Sequence, residues 1–564
     1  MLSEEYFGIL SRIYPADIAQ QTALRVSELV SSIQSRVQAY QHRLSAKHVV
    51  LITYGDTIRE QGTNPLRVLH KFYKEYLKGL INSIHILPFH PYTSDDGFSV
   101  VDYYKIDATL GDWSDIEKLG VDARLMFDAV VNHVSKSSPW FQGYLAGDEE
   151  YANWFIDVDP GDDLSMVTRP RSSPILSEFV GADGTTRHIW TTFSDDQVDL
   201  NVKNPEVLLA LLRVLLFYVE EGAKYIRLDA IAFLWKEIGT SCIHLPQTHE
   251  IVRLIRRVVE DVNPATLIIT ETNVPHTENI AYLGDGHDQA HMVYNFALPP
   301  LVAHSLLTGN AEKLLRWAQG LELPSERTCF FNFTASHDGV GVRAVEHILS
   351  QSERDLLLNA AVEQGGSISY RRNTDGAESP YELNISYIDL LSSLADSDEL
   401  RASRLLASQA IALAMPGVPA IYVHSLFGSR NDLTEVKRTG QKRSINRSKL
   451  DLVELSEQLA DKASLRSMVF TQMSNFLKVR KDEPAFDPYG TFSFPVFDNR
   501  LFSVLRVRND HRTLCFTNVS AETVVIRSGL SASSARDLIT GADVRLKEIS
   551  IPGYATLWLN LGGS

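Results

Sequence analysis

The sequence predicts an α/β fold: a (β/α)8 barrel of the TIM type, carrying inserted loop domains and a C-terminal antiparallel β domain. Three observations predict it. Apolar strand-like runs end repeatedly in carboxylates or imidazoles, helix-forming stretches separate those runs, and the last part of the chain turns to short runs broken by Asn, Asp, Ser and Gly. The central run is KYIRLDAIAF (224–233). Tyr225, Ile226 and Leu228 are strand formers, while Arg227 and Asp229, two apart on an extended segment, point to one side at the strand's end. Alone, such a pair would be an ordinary ion pair at a strand terminus. Three further runs end alike: LMFDAVVNH with Asp128, Asn132 and His133, LIITETN with Glu271, and FNFTASHDG with His337 and Asp338. In a parallel barrel such ends gather at one rim, where the catalytic residues of that architecture sit.

At 564 residues the chain exceeds one compact core. A barrel of about 250 residues leaves room for insertions and an extra domain. Residues 1–46 read as an N-terminal helical extension, with apolar residues at helical spacing and no breaker from Ile18 to Arg43. The catalytic barrel spans 47–485. HVVLITYGDT (48–57) opens it, and SIHILPFHPYTSDDGF (83–98) supplies the next strand and a polar loop whose Asp95-Asp96-Gly97-Phe98 turn falls on the catalytic rim. From about 134 to 203 the alternation breaks for longer than a barrel loop requires, which predicts an inserted domain. Within it Arg169 and Arg171 flank a proline that stiffens their backbone, so both guanidinium groups can face one anion.

A second insertion, about 339–398, carries QGGSISYRRNTDGAESPYELNISY beside Asp338 and reads as an irregular mobile lid or acceptor-site wall. RLLASQAIALAMPGVPAIYVH returns to a helix, stopped at Pro416-Gly417, and a short buried strand. Residues 486–564 form the β domain.

Composition narrows the function. Seventy acidic against 54 basic side chains give a net charge of -16, which disfavours nucleic acid as a partner. Cys242, Cys329 and Cys515 lie far apart with no CxxC pair and are expected as thiols in a reducing cytoplasm. The acidic start MLSEEYFGIL is unlike a signal peptide, and no apolar run approaches the ~20 residues of a membrane span. No metal-ligand spacing and no phosphate-cradling glycine loop is present, so neither metal nor cofactor is expected. The expected partners are small molecules, and a homodimer stays open.

Two carboxylates flanking a bond, with a third nearby, are the equipment for cutting a glycosidic linkage. Arg227 beside Asp229 is expected to keep one carboxylate ionised, and apolar packing at the end of LIIT to raise Glu271 so that it holds a proton. Asp338, next to His337, is then placed to bind sugar hydroxyls and to stabilise an oxocarbenium-like transition state.

DAVVNH, IRLDAIAF, ITET and ASHD, in that order, resemble the four signature regions of the α-amylase superfamily, the family 13 glycoside hydrolases, and the similarity covers most of residues 48–564. The resemblance implies Asp229 as nucleophile, Glu271 as acid/base, Asp338 as transition-state stabiliser, and His133, Arg227 and His337 as helpers in the glucose subsite. LITYGD, HILPFHPY with DDGF, TRPRSSP, TTFSDDQVDLN, ALPPL and GVPAIYVHSLFGSRND are similar to its sucrose phosphorylase subfamily. Those enzymes pass a glucosyl group between an acceptor and phosphate through a covalent glucosyl-enzyme. This implies Asp95, Phe98 and Arg447 (in RSINR) around the glucosyl ring, Gln197 beside it, and Arg171 reaching phosphate. Two departures fall on the acceptor side. Thr272-Asn273-Val274-Pro275-His276 follows Glu271 where that subfamily has His and aromatic residues, and Pro380-Tyr381-Glu382, preceded by Arg371 and Arg372, replaces its Leu-Tyr-Gln run. With the N-terminal extension, these stretches resemble the subfamily's glucosylglycerate phosphorylases. Glycerate is therefore the implied acceptor, its carboxylate met by Arg371 and Arg372 with Asn273 and His276 adding hydrogen bonds. Phosphorylases of glucosylglycerol, sucrose or sucrose 6'-phosphate, a plain α-glucoside hydrolase and a non-catalytic binding subunit are the alternatives.

Overall fold

Eight parallel strands close into a barrel. The computed structural model describes residues 2–37, 43–373, 375–530 and 532–562. The barrel strands are β1 (Val50–Thr53), β2 (Ser83–Ile86), β3 (Arg124–Ala129), β4 (Ala223–Leu228), β5 (Leu267–Thr270), β6 (Met292–Tyr294), β7 (Cys329–Asn332) and β8 (Val418–Tyr422). Each pairs with its chain neighbour, and β8 closes on β1 with Leu51 opposite Ile421. Runs such as VLIT and LIIT are apolar at every position because both faces are buried, one by the barrel interior and one by the helical ring. Seven of these strands can be read from the sequence. The eighth, β6, is three residues long and ends in no charge.

Helices cross between the strands and are punctuated by ordinary caps. Asn204 accepts the Glu206 N–H and Pro205 takes the first helical position of Pro205–Glu220, whose leucines then pack inward. Asp112 and Asp115 form a reciprocal capping box at the start of Trp113–Asp122. Among the described residues no helix is long and apolar enough to cross a membrane.

The N-terminal extension is two helices, α1 (Leu2–Leu10) and α2 (Ala16–Gln34), joined at Pro15; residues 38–42 of the helical stretch expected there lie outside the described residues. Both pack on the outer ring against Pro246–Val262, and α2 also against Pro205–Glu220. Val26, Val30 and Ile33 of α2 are buried, each contributing about 1.5–3 kcal/mol. Tyr6 Oη donates to Asp261 Oδ2 (2.7 Å) and Tyr14 Oη to the Val202 carbonyl (2.5 Å).

The segment between β3 and β4 holds an antiparallel pair (His133–Ser135 with Gln197–Asp199), a helix (Pro139–Ala146) and a hairpin (Leu176–Val180 with Thr186–Trp190). The stretch after β7 is more regular than its composition suggests. It contains helix Gln351–Glu363 and a three-stranded sheet in which Glu378–Asn384 pairs with both Ser367–Arg372 and Val340–Gly341. Beyond the barrel, a six-stranded antiparallel sheet built from Thr491 to Asn560 is fastened by buried Arg506, which donates to the carbonyls of Ala414 (2.9 Å) and Met415 (2.7 Å).

Candidate active site

Strand register sets two carboxylates side by side at the C-terminal rim. Leu228 of β4 lies opposite Thr270 of β5, and the ladder runs one residue further: Glu271 N–H donates to Leu228 O (3.1 Å) and Asp229 N–H to Ala129 O (3.2 Å). Asp229 and Glu271 therefore leave the barrel level with each other on strands about 4.8 Å apart. Ala230 follows in the left-handed region (φ 48, ψ 28) and turns its N–H onto Glu271 Oε2 at 3.0 Å. A non-glycine residue there costs about 1–2 kcal/mol, partly offset by this hydrogen bond to a carboxylate.

Arg227 is the cation beneath this pair and is 1% exposed. Its Nη1 reaches Asp128 and, at 2.8 Å, Asp229 Oδ1, while Nη2 is 3.9 Å from Glu271 Oε2. Burial pushes Asp128 up, but His85 (Nε2 2.7 Å from Oδ2) and Arg227 outweigh it and hold the group at about 2. Burial pushes Asp229 well above the usual carboxylate range; Arg227 opposes the rise and the charge of Glu271 adds to it. Glu271 is raised too, first by burial, with Arg227 opposing and Asp338 reinforcing. Arg227, expected to keep Asp229 ionised, opposes the rise of Asp229 as expected but is divided among three carboxylates and does not cancel the effect of burial. Both carboxyls are raised by burial, and the charge of Glu271 raises Asp229 further, so the two resist being ionised together. The closer contact of Arg227 with Asp229 favours the negative charge there and the proton on Glu271.

Asp338 behaves oppositely. Burial raises it, but Arg443, Arg227 and Arg447 together lower it below its ordinary value. Arg443 Nη1 lies 2.7 Å from Asp338 Oδ1, and its other edge clasps Glu382 through Nε (2.9 Å) and Nη2 (2.6 Å). Glu382 therefore acts through Arg443 and is not in the cavity wall. Sequence reasoning missed Arg443, although it is the first residue of the RSINR run whose last residue, Arg447, was singled out.

The glucosyl-side residues converge. The Phe98 ring stacks on His337 (centroids 5.0 Å apart, planes at 5°), and His133 Nε2 lies 2.9 Å from the Phe98 carbonyl. Burial lowers both His133 and His337, leaving neutral imidazoles suited to sugar hydroxyls. Gln197 Nε2 approaches Asp95 Oδ2 (3.4 Å). The Asp95-Asp96-Gly97 turn runs left-handed at φ 52, 48 and 112, and a Cβ at Gly97 would stand 2.7 Å from Pro88 O, so glycine is required. Asp96 pairs with Arg447 Nη1, and Arg447 Nε donates to His337 O (2.8 Å).

Asp229, Glu271 and Asp338 line one cavity of ≈ 70 Å³, room for a few water molecules. Asp95, Arg171, Phe193, Gln197 and Arg443 line both this cavity and an outer cleft of ≈ 710 Å³, where Arg447 lies. On the side facing the cleft stands Arg171, whose guanidinium carbon is 5.5 Å from the Tyr381 ring centre, while Asn273 lines the inner cavity alone. A Cβ at Gly341, on the short strand Val340–Gly341 after β7, would come within 2.6 Å of the Asn273 amide, so a glycine there is what lets Asn273 fit.

Arg371, Arg372 and His276 are not brought to the cavity. Arg371 Nη2 pairs with Glu346 (3.0 Å) beside a separate hollow of ≈ 320 Å³. Arg372 is exposed, and its backbone bridges to that of Arg169. Neighbours on a strand point to opposite faces, so the two arginines could not share one ligand. The His276 ring lies 5.6 Å from Trp317 and 6.2 Å from Phe330, where burial lowers it to about 4. Arg343, which no sequence signal marked, does line the cavity.

Comparison with known proteins agrees with this geometry. Residues 72–323 match the family described as alpha amylase, catalytic domain. The chain is 44% identical to a glucosylglycerate phosphorylase of Escherichia coli over 95% of this chain and 97% of that protein. It is 47% identical to a second, from Allomeiothermus silvanus, over 88% of each. Among solved structures it resembles the sucrose 6F-phosphate phosphorylase of Thermoanaerobacter thermosaccharolyticum at 25% identity, with a TM-score of 0.75 over 90% of this chain and 99% of that one.

Proposed function

The chain belongs to the α-amylase superfamily and, within it, to the glucosylglycerate phosphorylases, and from that premise we propose that it moves a glucosyl unit reversibly between 2-O-α-glucosylglycerate and inorganic phosphate, giving α-glucose 1-phosphate and glycerate. One observation about the site carries this reading. Beside the three carboxylates, the cavity wall holds two arginines, Arg171 and Arg343, that no carboxylate among the described residues pairs with. Hydrolysis by water needs no such cations, whereas phosphate and glycerate are both anions.

In the proposed reaction Asp229 attacks the anomeric carbon while Glu271 gives its proton to the departing glycerate oxygen. The resulting glucosyl-enzyme is then attacked by a phosphate oxygen, and two inversions give net retention. Asp338, kept anionic by Arg443, offsets the positive charge that develops on the sugar ring between these states. Phe98, His133, His337, Gln197 and Asp95 hold the ring, with Arg447 fixing the Asp96 side of their loop. The buried free thiols Cys242, Cys329 and Cys515 fit a reducing compartment, and we place the enzyme in the cytoplasm.

The test is a synthesis-direction screen with α-glucose 1-phosphate and glycerate, glycerol, fructose or fructose 6-phosphate. Glycerate is expected to be the best acceptor, and a preference for any other would replace the assignment. Arg171 is the proposed phosphate ligand. An Arg171→Ala enzyme is expected to show a phosphate KM raised roughly 10- to 150-fold, the equivalent of a charge-assisted hydrogen bond of about 1.5–3 kcal/mol. Formation of the glucosyl-enzyme from an activated donor should change far less. An unchanged phosphate dependence would remove Arg171 from that role.

A further inference from the structure

We propose that Arg343 is the residue that recognises the acceptor's carboxylate, and that this one side chain sets the preference for glycerate over uncharged polyols. The proposal rests on the phosphorylase reading above and deepens it. Two of the other three cavity arginines are already committed. Arg227 is shared among Asp128, Asp229 and Glu271, and Arg443 spans Asp338 and Glu382. Arg343 differs. Among the described residues it makes no ion pair and no side-chain hydrogen bond, and its Nε is sealed from solvent without a partner.

The two acids whose charge it feels are turned elsewhere. Glu346 takes Arg371 at 3.0 Å, and Glu278 lies 3.1 Å from His244 Nε2. Burial and the nearby Arg371 both work against its charge. A guanidinium held in such a place without a counter-ion costs several kcal/mol, and an anionic ligand removes that cost. Its neighbours in the cavity wall suit a small hydroxy acid. Tyr381 brings a hydroxyl, and the Asn273 side-chain oxygen is buried with no donor, placed to accept from a ligand hydroxyl.

Position separates Arg343 from Arg171. Arg171 lines both the cavity and the outer cleft, while Arg343 lines only the inner cavity, with Thr272, Asn273 and Val274, the three residues after Glu271. A group bonded to the anomeric oxygen that Glu271 protonates must pass this wall. In glucosylglycerate the carboxylate is one carbon from that oxygen, so it falls within reach of a cation here. The adjacent strand explains why the residue can sit so close: Gly341, two residues earlier, packs its bare Cα against Asn273.

The experiment compares wild type with Arg343→Gln, Arg343→Ala and Arg343→Lys in the synthesis direction, with glucose 1-phosphate as donor and glycerate or glycerol as acceptor. Phosphate KM is measured in the reverse direction. For the Gln and Ala variants the glycerate-to-glycerol ratio of kcat/KM is expected to fall roughly 10- to 150-fold, with Lys intermediate. Free guanidinium ion should restore part of the glycerate activity of Arg343→Ala. If wild type prefers glycerate but the variants lose both acceptors equally, the carboxylate role of Arg343 is overturned while the phosphorylase reading stands. A phosphate KM that rises as much as the glycerate KM would also overturn it, making Arg343 a general anion residue. If wild type itself fails to prefer glycerate, the acceptor reading falls and this inference with it.

Discussion

An Asp229→Asn enzyme is expected to lose glucosyl transfer to every acceptor, phosphate and water included, by ~10,000-fold or more, the scale on which removal of a covalent nucleophile acts. The expectation comes from the strand ladder as much as from residue type. Retaining chemistry needs carboxyl groups about 5–5.5 Å apart, whereas inversion needs about 6.5–9.5 Å for an intervening water. Level positions on neighbouring strands, about 4.8 Å apart at the backbone, lead us to expect the first spacing. The asparagine keeps an oxygen for Arg227, so the fold should survive. Two measurements check the role: a slow-turnover activated glucosyl donor should label the peptide containing Asp229, and the wild-type product should be α-glucose 1-phosphate. A label on another carboxylate, a β product or near-normal turnover by the variant would each reject it.

Much of this site is legible in the sequence because a parallel barrel converts strand ends into a shared rim. Once Asp128, Asp229, Glu271 and Asp338 are read as terminal residues of apolar strands, their meeting follows from topology, and the structure places them within one network around Arg227. What the sequence does not show is how charge is divided. Arg227 looks like a private partner of Asp229 because the two are adjacent on one strand, yet its shared contacts come from β3 and β5 as well. The acceptor side is harder still. Arg371 and Arg372 attract notice as a basic pair in a polar stretch, but pairing with Glu378–Asn384 makes that stretch a strand and sends neighbours to opposite faces. Arg343 sits in a run, GVGVRAVE, with no compositional signal, and its exposure to the cavity depends on a three-residue helical turn and on close packing at Gly341.

A Glu271→Gln enzyme separates the two half-reactions and reports on the electrostatics of the buried carboxylates as well. Glycerate leaves as an alkoxide unless it is protonated, so cleavage of glucosylglycerate should fall about 100- to 10,000-fold, the usual range for general acid catalysis. A fluoride leaving group needs no proton, and phosphate needs no base to attack. Glucosyl fluoride with phosphate should therefore give glucose 1-phosphate at a rate close to wild type, while glucosyl fluoride with glycerate stays slow. Equal losses in both reactions would deny Glu271 the acid/base role. Stability should move the other way. Burial first, and then Asp338, raise Glu271 in the folded protein. Above the unfolded value of about 4.3 the unfolded chain ionises while the native carboxyl resists, so native stability declines as pH rises through this interval. Glutamine removes that penalty and still accepts the Ala230 N–H. Its Tm should exceed wild type by about 1–2 °C for each kcal/mol relieved, a little below the shift seen for shorter chains. The advantage should be largest near pH 7–8 and should vanish below about pH 4, where both forms are neutral. A Tm gain that persists at acidic pH would come from packing and would deny that the buried carboxylates repel one another.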